Sequence, residues 1–310
     1  MTADTPSLLL VSLAVGIVVG LTGMGGGALM TPALIYLGVP PTAAVANDLV
    51  AAAANKSVGA VVHWRQGAPN LRLAFWLVLG SVPPALSGAF LVRALGGPDP
   101  EAFLRLAIGV TLLIASAAYA LRTYLSLRAA LADGATDVTD DPRVRALPTF
   151  LIGVVGGLLV GVTSVGSGSV MMVALLILYP TLSAVRLVGT DLVQAIPLIT
   201  AAALSHLIVT GVDWSVLIPL IVGGSPGTYL GARLAHKVSQ SLLRRGIAIV
   251  LALTGLSMLH VPPSGLGVAA ATFVIIGPLA WAGLRMSHGL PPFQHLGRQT
   301  ARVRERFDRR

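Results

Sequence analysis

A glycine-rich stretch interrupts a long apolar run at two places in the chain. The first copy covers residues 20–27 (GLTGMGGG) and the second covers residues 161–168 (GVTSVGSG). Glycine costs about 1 kcal/mol relative to alanine inside a helix. Broken backbone at membrane depth is tolerated only where it is buried in protein or lines a cavity. The two breaks therefore predict a two-halved membrane protein with a functional site at the interruptions.

Composition supports the membrane class. Hydrophobic residues make up 55% of the 310 positions and charged residues only 11%, against about 25% charged residues in soluble domains. Several apolar stretches exceed the ~18 residues that suggest a membrane span. The chain has no cysteine, which excludes a disulfide framework or a thiolate metal site. We expect an all-α polytopic membrane protein without cofactor or metal.

The order of apolar and polar segments predicts a duplication. Each half opens with a glycine-broken stretch and continues with three apolar segments, and one further segment follows the second half. The predicted parts are a first membrane repeat (1–121), a polar cytoplasmic linker (122–146), a second membrane repeat (147–260), an extra membrane helix (261–284) and a basic cytoplasmic tail (285–310). Seven arginines in the tail favour the cytoplasmic side and anionic lipid over nucleic acid.

Polar and glycine positions recur between the halves at a nearly constant offset. Asp48 is equivalent to Asp191, and His63 to His206. At an offset of 141, four residues of the first break match four of the second: Gly20, Thr22, Gly25 and Gly27 with Gly161, Thr163, Gly166 and Gly168. The second half therefore repeats the fold of the first.

Loop charges bear on how the halves are oriented. If each broken stretch is a hairpin with about 13 residues per arm, an arm reaches about 20 Å into the membrane. Each half then crosses three more times, an odd number, and the two halves are inverted. This arrangement puts the lysine- and arginine-bearing loops on the side of the tail, as the positive-inside rule requires. Broken stretches that cross straight through would give parallel repeats and stay an alternative.

The breaks are predicted to bind an anion. The half-helices that follow them, 28–37 and 169–179, present free N–H groups and a partial positive charge at their N-termini. The alternative is that the glycines only allow close helix packing. A P-loop is excluded, since no Gly-Lys-Ser/Thr follows either cluster. The candidate substrate ligands in the breaks are Thr22, Gly23, Gly25, Gly26, Gly27, Thr163, Ser164, Gly166, Ser167 and Gly168.

Ionisable and polar residues inside membrane segments are functional candidates. Lys56 could supply a positive charge for an anion, or extend to the membrane surface. Asp48 and Asp191 could carry a coupling proton, or stabilise the N-termini of their helices. Asn47 and Thr190 precede them and are further candidate substrate ligands.

The equivalent histidines, His63 and His206, could titrate near neutral pH. We favour a structural place for both at the membrane interface, because they lie at the far ends of their segments.

The motifs of both halves resemble those of the TauE/SafE family of membrane permeases, also called the sulfite exporter or DUF81 family. The resemblance covers about residues 8–260. It rests on GLTGMGGGALMTPAL with GVTSVGSGSVMMVAL, ANDLV…NKS with GTDLV, and GSVPPALSGA with GSPGTYLGA. It implies about eight membrane segments in two related halves, and transport of small sulfur-containing anions such as sulfite or sulfonates. The serine-substituted second motif and the extra C-terminal segment depart from the family pattern.

These features together predict a secondary transporter that exports small sulfur-containing anions across the cell membrane, with proton coupling. A passive anion channel and a permease for a non-sulfur anion are the alternatives. An enzyme is disfavoured, because no carboxylate pair, metal set or nucleophile–base spacing occurs in the spans. The expected partners are a small anionic substrate and membrane lipid, not nucleic acid. The sequence leaves homo-oligomer formation open.

Overall fold

The computed structural model describes most of the chain. The described residues are 4–22, 26–63, 69–131, 143–182, 184–235, 238 and 240–287. Within the helices, the side chains of 56–63, 126–131, 184–185, 188, 240–242, 284–285 and 287 lie outside the description.

The described residues are organised in helices. In chain order they are α1 (Thr5–Thr22), α2 (Gly27–Tyr36), α3 (Pro41–His63), α4 (Leu71–Leu95), α5 (Pro100–Leu131), α6 (Ala146–Thr163), α7 (Val170–Leu178), α8 (Ala184–Val209), α9 (Trp214–Leu234), α10 (Gln240–Met258) and α11 (Pro263–Ser287). Seven of these described helices are long and apolar enough to span a membrane. This confirms the predicted all-α polytopic membrane class.

Both glycine breaks end one helix and begin a shorter one. Around the first break, α1 has 18 residues and α2 has 10, which correspond to about 27 Å and 15 Å. The two arms are therefore unequal, and the predicted 13 residues per arm are wrong. The reason is that helix α1 begins at Thr5, three residues before the apolar run, and α2 ends at Tyr36.

The chain reverses direction at the second break. A Cβ on Gly156 in α6 would overlap the side chain of Met171 in α7. Closer to the break, Leu159 lies against Gly166. Residues farther from the break on α6 thus face residues farther from the break on α7. This is the pattern of a helical hairpin. This is the predicted glycine-broken helical hairpin.

The first break also reverses the chain. Asn47 and Asn55 on α3 contact Asp213 and Ser225 at successive levels of α9, so α3 and α9 run parallel. α1 also runs parallel to α9, since Ser12 donates a hydrogen bond to the Pro219 carbonyl at 3.0 Å and later residues of α1 meet later residues of α9. α2 turns back through a short loop onto α3. α2 is therefore antiparallel to α1.

Each hairpin lies against the opposite half of the chain. α1 packs on α9, and α6 packs on α4 in the equivalent way. Glycines bring the backbones together at both places: a Cβ on Gly20 would overlap the Thr228 carbonyl oxygen, and one on Gly161 would lie 2.7 Å from the Ala85 carbonyl oxygen. Small residues at helix interfaces are the usual means of close approach in membranes. Gly20 and Gly161 thus serve helix packing, the alternative role considered for the glycine motifs.

The equivalent helices α5 and α10 run antiparallel. Gly109 lies against Gly255, and further along α5 the Ser116 hydroxyl donates to the carbonyl of the earlier residue Ala248 at 2.8 Å. α3 and α8 are also antiparallel neighbours, because the start of α3 meets the residues after α8. These directions are those that inverted halves require. The inversion itself stays a prediction.

α5 extends beyond residue 121, where the predicted first repeat ends. It continues to Leu131, ten residues into the predicted linker. Leucine, alanine and arginine follow Leu121, and these residues favour helix even where charge ends the hydrophobic run. The change in polarity at Arg122 therefore does not mark the end of the helix.

Contacts divide the chain into a unit of residues 1–260 and a unit of residues 261–310. In the second unit, α11 has 25 residues and leaves most of its described side chains exposed. The predicted tail from residue 288 lies outside the described residues, as does the linker at 132–142. The domain boundaries stay predictions.

The glycine contacts between α1 and α9 should be intolerant of a single methyl group. A Cβ on Gly231 would overlap the Ile17 carbonyl oxygen, whereas a Cβ on Gly246 in α10 has no atom within 4 Å. We expect Gly231→Ala to lower the free energy of unfolding by about 1–3 kcal/mol through overpacking. Gly246→Ala should be neutral or gain up to about 1 kcal/mol from helix propensity. Thermal unfolding in detergent measures both, and equal stability of the two variants would contradict the packing role.

Candidate functional site

The two breaks touch each other in the structure. Gly27, the first residue of α2, lies so close to Ser164 that a Cβ there would overlap the Ser164 carbonyl oxygen and approach its hydroxyl. Its neighbour Gly26 is different, since a Cβ there would meet only Val19 at an ordinary 3.7 Å. The position that requires glycine for close approach is therefore Gly27.

Asp48 lies at this junction and joins both hairpins. Its carboxylate oxygen Oδ2 accepts a hydrogen bond from the Thr31 hydroxyl on α2 at 2.7 Å, and another from the Ser164 hydroxyl at 2.7 Å. The side chain is only 2% exposed. Hydrogen bonds to a charged acceptor in a low-dielectric interior are stronger than neutral ones. Asp48 on α3 thus ties the second arm of the first hairpin to the break of the second.

The second break holds an uncommon backbone conformation. Ser164 ends α6 with φ 63° and ψ 0°, in the left-handed region, and Gly166 has φ 126°. The left-handed region is natural for glycine but uncommon for serine. The hydroxyl of Ser164 donates a hydrogen bond to Asp48. The equivalent residue of the first break is Gly23. Ser164 thus has this uncommon conformation while its hydroxyl is bonded to Asp48.

Neither short helix is capped by the side chain of its N-cap residue. α2 has Gly26 at this position and α7 has Ser169, and neither side chain forms a capping hydrogen bond. Ser169 has a hydroxyl that could cap the helix. The backbone N–H groups at these two N-termini therefore donate no hydrogen bond to an N-cap side chain.

The threonines that end α1 and α6 direct their hydroxyl protons into their own helices. Thr22 donates to the Val18 carbonyl at 2.7 Å, and Thr163 donates to the Leu159 carbonyl at 2.7 Å. Thr163 also accepts the Val165 amide at 3.2 Å. These threonines therefore complete the last turns of the long arms, while their assignment as substrate ligands stays a prediction.

Asn47 and Thr190 make equivalent contacts, each with the backbone amide of a helix N-cap residue. The Asn47 side-chain oxygen accepts the backbone amide of Asp213 at 3.2 Å, and the Thr190 hydroxyl accepts that of Asn70 at 3.0 Å. Asp213 and Asn70 are the N-cap residues of α9 and α4. Both candidate ligands thus fix the start of a helix in the opposite half, which gives them a structural role whether or not they contact substrate.

Asp191 has different surroundings from Asp48. Its carboxylate accepts a hydrogen bond from the Gln194 amide at 3.0 Å, and the same amide lies 3.8 Å from the sulfur of Met171. At the offset of 141, the residues equivalent to Thr31 and Ser164 are Met172 and Gly23, which have no hydroxyl. The two carboxylates are therefore equivalent in position but not in environment.

His206 is buried, with 1% of its side chain exposed, and its Nε2 lies 2.8 Å from the Gly161 carbonyl oxygen of α6. His206 thus has a structural contact, as expected, and its place at the membrane interface stays a prediction. α8 ends at Val209, and α6 lies beside it and covers the His206 side chain. The side chain of His63, its equivalent, lies outside the description.

The remaining predicted ligands are only partly placed. Ser167 is buried in the turn of the second break, and Gly168 follows it. Gly23 and Gly25 lie outside the described residues. Lys56 belongs to α3, but its side chain also lies outside the description.

Sequence reasoning missed Thr31, although it donates directly to Asp48. Comparison of the two halves selected polar positions that recur, and the equivalent of Thr31 is Met172. A single hydroxyl within MTPAL, in an otherwise apolar stretch, was the available signal.

Comparison with known proteins agrees with this architecture. The profile of the family described as sulfite exporter TauE/SafE matches residues 8–258. The chain belongs to the TauE/SafE family. The match begins in α1 and ends with the last residue of α10, so it includes both hairpins and their contact.

Relatives within the family are described as transporters. The chain is 35% identical over 255 residues to the probable membrane transporter protein YjnA of Bacillus subtilis, covering 82% of this chain and 99% of that one. It is 26% identical over 253 residues to YdhB of the same organism, with 81% and 99% covered. A probable membrane transporter protein of Xylella fastidiosa is 28% identical over 244 residues, with 76% and 88% covered. No solved structure matches the chain.

The junction of the breaks predicts opposite effects at two adjacent glycines. Gly27→Ala should disrupt the contact with Ser164 and lower the free energy of unfolding by about 1–3 kcal/mol. Gly26→Ala should be tolerated, because its Cβ fits at 3.7 Å from Val19. Melting temperatures of the purified variants check this, and a Gly26→Ala protein as unstable as Gly27→Ala would contradict the assignment.

Proposed function

We propose that this TauE/SafE protein is a secondary transporter that exports small sulfur-containing anions, such as sulfite or organosulfonates, from the cell. The observation that carries the proposal is the contact between the two breaks at Gly27 and Ser164, beside the buried carboxylate of Asp48. The substrate binds between the breaks, and no covalent chemistry is involved.

The N-termini of α2 and α7 supply the attraction for an anion. A helix N-terminus presents unsatisfied N–H groups and about half a positive elementary charge. At α7 the Val170 and Met171 amides donate to the Gly166 carbonyl, so α7 attracts an anion through its dipole. At α2 no side chain caps the N-terminus, which leaves its attraction to a ligand. Glycine at the break lets an oxyanion approach the backbone closely. We further propose that Lys56 adds a positive charge on the neighbouring helix α3.

Asp48 couples the anion to a proton. An ionised carboxylate repels an anion held a few ångströms away in a low-dielectric site, so the two negative charges exclude each other. Anion binding therefore favours protonation of Asp48. Protonation in turn weakens the hydrogen bonds that Asp48 accepts from Thr31 and Ser164, and so loosens the junction of the hairpins.

Inverted halves give the transport cycle its two states. The antiparallel pairs α3 with α8 and α5 with α10 support inversion, and each hairpin is seated on the other half. Rocking of one repeat against the other would expose the site alternately on the two faces. With the arginine-rich tail in the cytoplasm of a cell-membrane protein, a divalent anion that moves with one proton carries net negative charge. The inside-negative potential favours its export by about 2.3 kcal/mol per 100 mV.

Binding of candidate anions tests the substrate class. We expect one of sulfite, thiosulfate, sulfate, sulfoacetate or the zwitterionic sulfonate taurine to raise the melting temperature of purified protein, because a ligand that binds only the folded state stabilises it. Chloride, nitrate and a carboxylate of similar size serve as controls. A shift for a control anion alone would leave an anion permease and remove the sulfur substrate. Labelled counterflow in proteoliposomes then separates a transporter from a channel, which conducts without counterflow.

Substitution of Asp48 tests the coupling. Affinity of the native protein for a sulfonate, whose charge is constant over the range used, should fall as pH rises, because ionised Asp48 repels it. Asp48→Asn should bind the sulfonate with little pH dependence, and its transport should no longer respond to a pH gradient while exchange continues. Asp191→Asn is the matched variant in the other half. If Asp48→Asn keeps the native pH dependence and Asp191→Asn loses it, the coupling residue is Asp191.

A further inference from the structure

The imidazole of His206 meets the second break from α8. It is buried, and its Nε2 lies 2.8 Å from the carbonyl oxygen of Gly161 near the end of α6. A carbonyl oxygen only accepts hydrogen bonds, so Nε2 carries the proton and donates it. Nδ1 is buried and has no hydrogen-bond partner among the described residues. The bond to Gly161 is therefore the polar contact that places this ring.

The Gly161 carbonyl needs a donor because the break removes the usual one. In a continuous helix it would accept the amide of Val165, four residues later. α6 ends at Thr163, and the Val165 amide donates instead to the Thr163 hydroxyl at 3.2 Å. Gly161 is buried, and a buried carbonyl without a donor costs free energy. His206 thus supplies the donor that the break takes from α6.

The packing of α4 leaves room for this bond. A Cβ on Gly88 would overlap the Gly161 carbonyl oxygen, so glycine is required where α4 passes the end of α6. Ser205, which precedes His206, accepts the Ala89 amide at 3.2 Å and joins α8 to α4 at the same level. The sequences of α4 and α6 contain no acidic residue, so neither helix offers the imidazole an ion pair.

Without the His206 donor, the end of α6 has a competing conformation. Ser164 could return from the left-handed to the right-handed helical region, which is lower in energy for serine. The Val165 amide would then reach the Gly161 carbonyl and continue the helix. The Ser164 hydroxyl, which now donates to Asp48 at 2.7 Å, would be turned away from the carboxylate. The His206 bond therefore disfavours a state in which Asp48 loses one of its hydrogen bonds.

We propose that His206 is a positioning residue of the transport site. By satisfying the Gly161 carbonyl it keeps Ser164 in the left-handed conformation, and Ser164 in turn holds the carboxylate of Asp48 between the hairpins. The inference rests on the proposed function, because it gives His206 a part in the coupling assigned to Asp48. His206 acts through Gly161 and Ser164, and not through contact with the anion.

The pH profile of anion binding separates positioning from packing. Methanesulfonate and sulfate are the probes, since their charges are constant over the range used. A hydrogen bond to an ionised carboxylate favours the ionised form, so its loss lets Asp48 take up a proton at higher pH. We expect His206→Leu to raise the midpoint of affinity against pH by about one unit, a tenfold effect for one charge-assisted bond. His206→Gln should restore the native midpoint, because its amide N–H can replace Nε2–H.

A side chain that only fills space would change stability and leave this midpoint where it is. An unchanged midpoint in folded His206→Leu protein therefore overturns the inference. If His206→Leu does not fold, His206→Asn takes its place, because its amide is too short to reach the carbonyl.

A double-variant cycle shows whether His206 acts through Ser164. Ser164→Ala should raise the midpoint by the same amount as His206→Leu, and the double variant should show no further change, since both remove one interaction. Ser205→Ala is the matched control, because Ser205 is the buried neighbour on α8 but is bonded to α4. Its midpoint should stay native. Additive shifts of His206→Leu and Ser164→Ala would show that the two residues act independently.

Two measurements without an anion keep this inference distinct from the proposed function. NMR of the histidine ring nitrogens, with His206→Gln to assign the signals, should show the proton of neutral His206 on Nε2. Melting temperatures should repeat the cycle, so the double variant is no less stable than His206→Leu, whereas Ser205→Ala adds to Ser164→Ala.

These results separate the two possible failures. If neither probe binds native protein but both measurements come out as expected, the proposed function fails and the positioning of Ser164 by His206 stands. A proton on Nδ1 in place of Nε2, or additive losses of melting temperature for His206→Leu and Ser164→Ala, contradicts the positioning role even where an anion binds.

Discussion

A helix that stops inside a membrane leaves backbone N–H and C=O groups that lipid cannot satisfy. The protein meets this constraint by placing one interruption against the other, with the start of α2 resting on the end of α6 at Gly27 and Ser164. The rest of the packing serves this contact. Glycines along α1 and α6 let each hairpin lie close to a helix of the opposite half, and α3 crosses beside the junction. Gly27 and Ser164, where the breaks meet, are therefore buried by protein that comes from both repeats.

The sequence was sufficient to predict the helical hairpins and to select Asp48 as a candidate, and Asp48 lies where the two hairpins meet. Glycine clusters and carboxylates are anomalous in apolar runs, and such anomalies are readable without a structure. The sequence could not separate Gly26 from Gly27, because the difference lies in what a Cβ would meet on a distant segment. It also passed over Thr31, since the repeat comparison set it against Met172.

Roles that depend on contacts between the halves were the least predictable. Asn47 was a candidate ligand because it is polar within a membrane segment, yet it accepts a hydrogen bond from the backbone of Asp213, 166 residues away. Thr190 does the same for Asn70, 120 residues away. Burial of both side chains is complete. A polar residue inside a membrane protein can thus satisfy a helix terminus of the other repeat, and no pattern within its own segment reveals this.

The position of these residues on α3 has a mechanical consequence. Asn47 and Asp48 are consecutive, so their side chains leave the helix about 100° apart and reach different elements. Asn47 is bound to the backbone at the start of α9 and does not titrate. Asp48 is bound to two hydroxyls, on α2 and at the second break, through an oxygen whose charge depends on protonation. Loss of the Asp48 hydrogen bonds would therefore weaken the contact between the hairpins, while the Asn47 hydrogen bond still joins α3 to the start of α9.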